Sequence, residues 1–292
     1  MAEVNQDFLS PKNLIRDNQL VLDGALLSNS TKFAVQCLNL PWSLEGMKAQ
    51  GGISDAEYNQ TADILLQLHK GFLRLFEIAD DFRNTLHVLD RACQQTLEFA
   101  DKAQSKFSKL FELFRQLRDS PTSEVKTELH ALNMELIIAA NNAARSSGMV
   151  SFGTFVNDLS EVGVYMRETY HKLTLRMKDP KVKNIIEKLL GTRGRLPSLE
   201  GFLAWLDRIN DQSNKAIKDL EHLRGSWEMI AADSASLEDF LYHPHSEPSN
   251  RFMQVKLAHL LSGWKVVKEK VIEFNRVHLQ SALKEVDGAP RR

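Results

Sequence analysis

Little in this chain breaks a helix. Of 292 residues only 8 are proline and 14 glycine, and neither occurs between Phe72 and Ser120. Cysteine is nearly absent as well. Cys37 and Cys93 make no metal motif, and Cys93 lies among apolar neighbours where a small buried thiol fits. No excess of one charge exists: 37 Lys and Arg face 38 Asp and Glu, a formal net charge of -1. That excludes the basic surplus expected of a nucleic-acid binder. No run of eighteen or more apolar residues is present, so no constitutive membrane-spanning helix is expected. The opening Met-Ala-Glu-Val-Asn-Gln-Asp lacks the basic and apolar regions of a classical signal peptide, which predicts a chain made as a soluble protein.

What the chain does have is periodicity. Apolar residues alternate at spacings of four and three through Leu68, Phe72, Leu75, Ala79, Phe82, Leu86, Leu89, Cys93, Thr96, Ala100, Ala103, Phe107, Leu110, Phe114 and Leu117, with Thr96 the one polar member. A sustained 3.5-residue repeat keeps one seam of a long helix against a partner. At 1.5 Å per residue this predicts a rod of roughly 75 Å. Ser54 followed by Glu57 has the capping-box spacing and marks its start. Asp119-Ser120-Pro121 marks its end, with Ser120 as the next cap and Pro121 at the first helical position.

The remaining helices are phased likewise. Val125, Leu129, Leu132, Leu136, Ala139 and Ala143 share one phase, and Phe155, Leu159, Val162, Met166, Thr169 and Leu173 another. The slip falls at Ser146-Ser147-Gly148, predicting a stutter or a tight turn between two helices. Asp179-Pro180 ends that element, and a short segment from Val182 to Leu190 leads into a basic loop, Gly191 to Arg195, and Pro197. A third long helix starts at Ser198 on a seam from Phe202 through Trp227 to Leu241. Pro244 and Pro248 bracket a loop, and a last helix carries Met253, Leu257, Leu260, Trp264, Val267, Val271 and Phe274. Upstream, Asn13 to Leu27 and Thr31 to Leu40 read as short helices, and Pro41 with Gly46, Gly51 and Gly52 as loop. The predicted fold is all-α: an elongated antiparallel bundle of four to five long helices with coiled-coil-like packing. Residues 1–53 form short helices and a loop on the bundle, and 54–286 form the bundle itself.

Signals of catalysis are thin, and no enzyme, cofactor or metal is expected. His243-Pro-His245 brings two histidines close without a third ligand. Glu168-Thr-Tyr-His171 has the spacing of a di-iron half-site once, where two copies are needed. Gly191-Thr-Arg-Gly-Arg195 fits no phosphate-binding loop. The stretch 131–157 departs from ordinary bundle chemistry instead. Between Ala131 and Val156 only Glu135 and Arg145 are charged, and small residues dominate. Leu132, Leu136, Ile137, Ile138, Met149, Val150, Phe152, Phe155 and Val156 are therefore the candidate membrane- or partner-facing tip. The same composition also suits the most buried part of the bundle.

The closing residues carry a resemblance. Leu220-x-x-Leu223-x-x-x-Trp227-x-x-Ile230, Leu237-x-x-Phe240-Leu241, then Leu257, Trp264-Lys-Val-Val267, Lys270 and Phe274-Asn-Arg resemble the last helices of the α-helical pore-forming toxins of the cytolysin A and haemolysin BL kind. In architecture the likeness runs from Ser54 to about Ala282. It implies a protein released from its cell, target lipid membrane and other toxin subunits as partners, and homo- or hetero-oligomerisation on the membrane. Trp205, Trp227, Trp264 and Phe274 are expected as core packing. The family's membrane-inserting head carries a longer apolar run or a β-tongue. The weak stretch here implies a subunit of a multi-component toxin.

A second resemblance lies at Asn142-Ala-Ala-Arg145-Ser and Phe152-Gly-Thr-Phe-Val156-Asn-Asp-Leu159, which are similar to the hairpin tip of chemoreceptor cytoplasmic domains. It implies a signalling coiled coil that binds an adaptor and a histidine kinase near 142–159. A structural scaffold bundle, or a crescent-shaped membrane-curving dimer, is the third alternative. The near-zero net charge does not favour the basic concave face such a dimer needs.

Overall fold

Ser54 and Glu57 start the longest helix by serving each other. The Ser54 amide and hydroxyl each donate to Glu57 Oε2 at 2.9 Å, and the Glu57 amide donates back to Ser54 Oγ at 3.3 Å. Two orphan backbone donors are thereby satisfied, as a capping box requires. In the computed structural model, which describes residues 8–16, 19–40, 43–191 and 199–289, the protein is an all-α helical bundle. Its helices are α1 (Gly24–Leu38), α2 (Leu44–Gly51), α3 (Asp55–Asp119), α4 (Ser123–Arg145), α5 (Met149–Arg176), α6 (Pro180–Gly191), α7 (Leu199–Tyr242), α8 (Glu247–Met253), α9 (Leu257–Phe274) and α10 (Gln280–Asp287). Every member of the predicted α3 seam is buried, Thr96 included. The Thr96 hydroxyl is satisfied by the Ala92 carbonyl at 2.8 Å, so it fits an apolar seam at little cost.

Several sequence expectations change. Asn13 to Leu27 is not one helix: a 3-10 turn at Lys12–Leu14 leads into a two-stranded antiparallel pair, Ile15–Arg16 (β1) with Gln19–Leu20 (β2), and α1 starts at Gly24. Residues 43–52 are not loop. The Ser43 hydroxyl accepts from the Gly46 amide at 2.9 Å, and Gly52 closes α2 in the left-handed region at φ 57, where glycine carries no Cβ penalty. Thr122, not Ser120, caps α4, accepting from the Val125 amide at 3.2 Å, and Pro121 lies outside that helix. Met253 ends the short helix α8 instead of opening the last long one. The basic loop at 192–195, Pro41, Pro197 and Ser198 lie outside the described residues.

The chain divides into two compact units. The first comprises residues 1–24, 87–149 and 217–280, the second 25–86, 150–216 and 281–292. In the first, α4 runs antiparallel to the later part of α3, joined by the ion pairs Lys106–Glu135 and Lys109–Glu128. Helix α9 also runs antiparallel to α3, through Lys268–Asp101 and a 2.8 Å bond from Asn275 Nδ2 to Asp90 Oδ1. The core here is aromatic. Phe99 lies 5.1 Å from Trp227 and 4.7 Å from Trp264 between ring centroids, and the two indoles are 5.7 Å apart.

The N-terminal strand region closes over that core. Trp264 Nε1 donates to the Leu9 carbonyl at 3.1 Å, and the Leu9 amide donates to Asp233 Oδ2 at 2.7 Å. Leu9 is fully buried at φ 56, a left-handed conformation that a leucine keeps only where its surroundings impose it. Pro11 lies on Gly263, where an added Cβ would come within 3.3 Å of the proline ring.

In the second unit α5 runs antiparallel to the first part of α3. The Tyr165 hydroxyl donates to the Gln67 carbonyl at 3.1 Å, and Phe155 sits 4.7 Å from Phe82. Gly71 lets Met166 approach the α3 backbone, since any Cβ there would overlap the Met166 sulfur. Helix α1 runs antiparallel to the start of α7, with Phe33 5.0 Å from Trp205 and Asn29 bonded to Gln212 at 3.3 Å. Between α9 and α10 a π turn, Asn275–Leu279, inserts one residue into the helical phase. The buried face thus passes from Val271 and Phe274 to Leu279 and Ala282.

Candidate functional site

The charge-poor stretch at 131–157 spans the point where the chain leaves the first unit and enters the second. Within α4 the side chains of Leu132 and Leu136 are buried with Leu129, Ala140 and Ala143, and Ile137 is half-buried. Asn133 is held in that core by donating from Nδ2 to Glu238 Oε1 on α7 at 2.8 Å, and the same carboxylate meets His130 Nδ1 at 2.9 Å. Ile138 points outward, 54% exposed, with Met134 one turn before it on the same face. Helix α4 ends at Arg145, and Gly148 takes φ 78, a conformation that separates α4 from α5. Leu89 limits the space there: its side chain would lie 3.0 Å from a Cβ on Gly148.

In the second unit Met149's successor, Val150, is 76% exposed. Phe152, Phe155 and Val156 are not: all three are buried, Phe155 packing on Phe82 and, at 5.6 Å, on Phe152. Met149 itself is half-buried. The nine candidate tip residues therefore do not form one exposed patch. Leu132, Leu136, Phe152, Phe155 and Val156 are core side chains of their own units, and Ile138 and Val150 are the surface members. Lack of charge selects for any dry environment, and a helix core is one.

Of the four aromatic packing positions, Trp227, Trp264 and Phe274 are buried and Trp205 is half-buried against Phe33 and Phe202. The two cysteines are buried, and burial pushes both thiols up, Cys93 to about 12. Neither is a reactive thiolate. Among the described residues no group of three or more His, Cys, Asp or Glu is arranged to hold a metal ion, and no helix is long and apolar enough to cross a membrane. Glu77 and Asp81 border an acidic recess of about 220 Å³ in the second unit, completed by Asp158 and Glu161 with Arg74 on its lining.

Sequence reasoning missed a larger cavity in the first unit. It measures about 570 Å³ and is lined by Phe8, Phe240, Phe252 and Val255 together with Asp239, His243 and Arg251. The signal was the density of aromatics around Pro244 and Pro248, which read as an ordinary loop. Comparison with known proteins adds no relationship: no family model matches the chain, and no curated protein is significantly similar to it.

Proposed function

We propose that this protein is a non-enzymatic component of an α-helical pore-forming toxin, one that binds a target membrane and partner subunits and oligomerises there. The observation that supports this reading is the aromatic lock of Trp227 and Trp264 on Phe99. It holds the closing helices α7 and α9 against α3, and its tryptophans are those on which the toxin resemblance rests. The mechanism is physical. A soluble bundle keeps Leu132, Leu136, Phe152, Phe155 and Val156 dry inside its own units. Lipid or a partner subunit offers those side chains a second dry environment, and the conformation that gains more burial dominates once the membrane is present. Ile138 and Val150, already outside, make the first apolar contacts.

Burial of those five residues favours a second reading, a structural scaffold in which the stretch is core and nothing more. The chemoreceptor-like reading has less support, because residues 142–149 and 150–159 belong to different units and the chain reverses at Ser120–Thr122. Dye release from liposomes, and co-sedimentation with them, separates the first two readings. A toxin component sediments with liposomes, and Ile138→Asp lowers the bound fraction while leaving helicity intact. A wild-type protein that never sediments, at any lipid composition, leaves the scaffold.

A further inference from the structure

The cavity in the first unit joins two kinds of wall. Phe8, Phe240, Phe252 and Val255 make an aromatic and apolar lining. Phe252 and Phe240 are buried with ring centroids 6.1 Å apart, and Phe8 stands edge-on to Phe252 at 5.3 Å. Phe111 and Phe114 brace Phe252 from behind at 4.6 and 5.1 Å, so the lining is a fixed surface. Among the described residues the same walls carry the Asp239 carboxylate and the Arg251 guanidinium, with the His243 imidazole and the hydroxyls of Ser236 and Ser246. Arg251 spends one nitrogen on Glu247, and a guanidinium carries five N–H donors in all. At about 570 Å³ the cavity falls in the range of small-molecule sites, roughly 300–1,000 Å³.

The pairing of charges restricts the occupant. A simple anion entering this cavity meets Asp239, a simple cation meets Arg251, and a purely apolar molecule offers no partner to Asp239 or to the Arg251 donors not spent on Glu247. A zwitterion satisfies both. The aromatic lining then distinguishes among zwitterions. A primary ammonium needs hydrogen-bond acceptors around it, whereas a quaternary ammonium has no N–H to satisfy and is attracted to aromatic faces beside a carboxylate. We infer that this cavity binds a phosphocholine group, with the trimethylammonium on Phe8, Phe240 and Phe252 beside Asp239 and the phosphate on Arg251.

Tyr242 gives this assignment a setting. It follows the cavity-lining Phe240 and precedes His243, yet it is 73% exposed. An exposed tyrosine beside a headgroup cavity suits the lipid–water boundary, where an amphipathic ring has both environments within reach. The lipid source of the phosphocholine rests on the membrane reading proposed above. The chemistry of the cavity stands apart from it.

Titration calorimetry with soluble phosphocholine and phosphoethanolamine tests the site, and co-sedimentation with phosphatidylcholine or phosphatidylethanolamine vesicles tests the source. Phosphocholine is expected to bind saturably and phosphoethanolamine about tenfold more weakly. Asp239→Asn and Arg251→Gln, both at exposed positions, are each expected to cost about tenfold in affinity with unchanged circular dichroism. No saturable binding, equal binding of the two headgroups, or affinity untouched by both substitutions overturns the assignment. Binding of soluble phosphocholine without sedimentation on phosphatidylcholine vesicles upholds the site and removes its membrane source. Sedimentation without headgroup preference or phosphocholine binding removes the site and leaves the membrane reading standing.

Discussion

The two units are built on the same kind of heptad seam and fill it by opposite means. In the first, bulk does the packing: Phe99, Phe107, Trp227 and Trp264 form a contiguous cluster, with a buried indole hydrogen-bonded to the Leu9 backbone. In the second, close approach contributes more. Gly71 receives the Met166 side chain, Gly163 faces Leu206 at 3.6 Å, and Ser213 lies fully buried on α7. A large side chain placed in a seam tolerates little loss, whereas a notch tolerates little gain. Equivalent heptad positions thus have opposite mutational sensitivities, and the periodicity alone does not say which applies.

Substitutions sharpen that contrast, beginning with the most damaging. Phe152→Asp places a carboxylate with no partner into the second unit's core, and should cost about 4 kcal/mol or more. Urea denaturation would expose the error in this burial if the variant unfolds at the wild-type midpoint. Trp264→Ala removes the central ring of the first unit and leaves the Leu9 carbonyl without its donor, for a loss of about 3–5 kcal/mol. Its effect should greatly exceed that of Trp205→Ala, since Trp205 is only half-buried.

Gly71→Ala probes the notch. Helix propensity gains about 1 kcal/mol and overpacking against Met166 costs about 1–3 kcal/mol, leaving a net loss near 1 kcal/mol. Combining it with Met166→Val should recover part of that loss, and strict additivity of the two changes would show that they do not meet. Ile138→Asp, on the outer face of α4, should shift stability by no more than about 0.5 kcal/mol, and a larger loss would place Ile138 inside the core.

The smallest effect is one of pH. The Lys188 ammonium, followed by the Ser54 amide and hydroxyl, holds the Glu57 carboxyl down from its ordinary 4.5 to about 2. A carboxylate depressed in the folded state contributes stability that is fully present above its unfolded value and lost as pH falls through its folded value. The thermal midpoint of the wild type should therefore decline between about pH 4.5 and 2, and Glu57→Gln should make that decline shallower. An identical acid limb in the variant would mean that the α3 cap does not titrate with folding.

The long helices were legible because they bury one unbroken stripe, and the seams of α3, α5 and α7 state that stripe directly. Residues 8–53 were legible only in part: the helix read at Thr31 to Leu40 falls on the second half of α1, and the rest was hidden for reasons of scale. Strands of two residues carry no alternation, so β1 and β2 leave no period to read. In and just after α2 the glycines at 46, 51 and 52 read as loop, although Gly52 is the residue that terminates the helix. The candidate tip was legible in part. Charge depletion between Ala131 and Val156 told neither which side chains are dry nor what keeps them so: Leu136 and Phe155 are buried by the protein itself, while Ile138 and Val150 stay exposed. The cavity at Phe240 and Phe252 was illegible because Phe8 reaches it from more than two hundred positions away.

The attachment of Leu9 has a consequence for biogenesis. Its amide partner, Asp233, lies 224 residues downstream and its carbonyl partner, Trp264, 255. The segment around Leu9 therefore has no place to dock until more than two hundred further residues have been made. At synthesis rates of about 5–20 residues per second that wait is on the order of tens of seconds, with Phe8, Leu9 and Leu14 still accessible to chaperones or to a partner chain. Late closure makes this strand region the last part of the first unit to commit, and a nascent chain stalled before Trp264 would be the form in which another protein could most easily take its place.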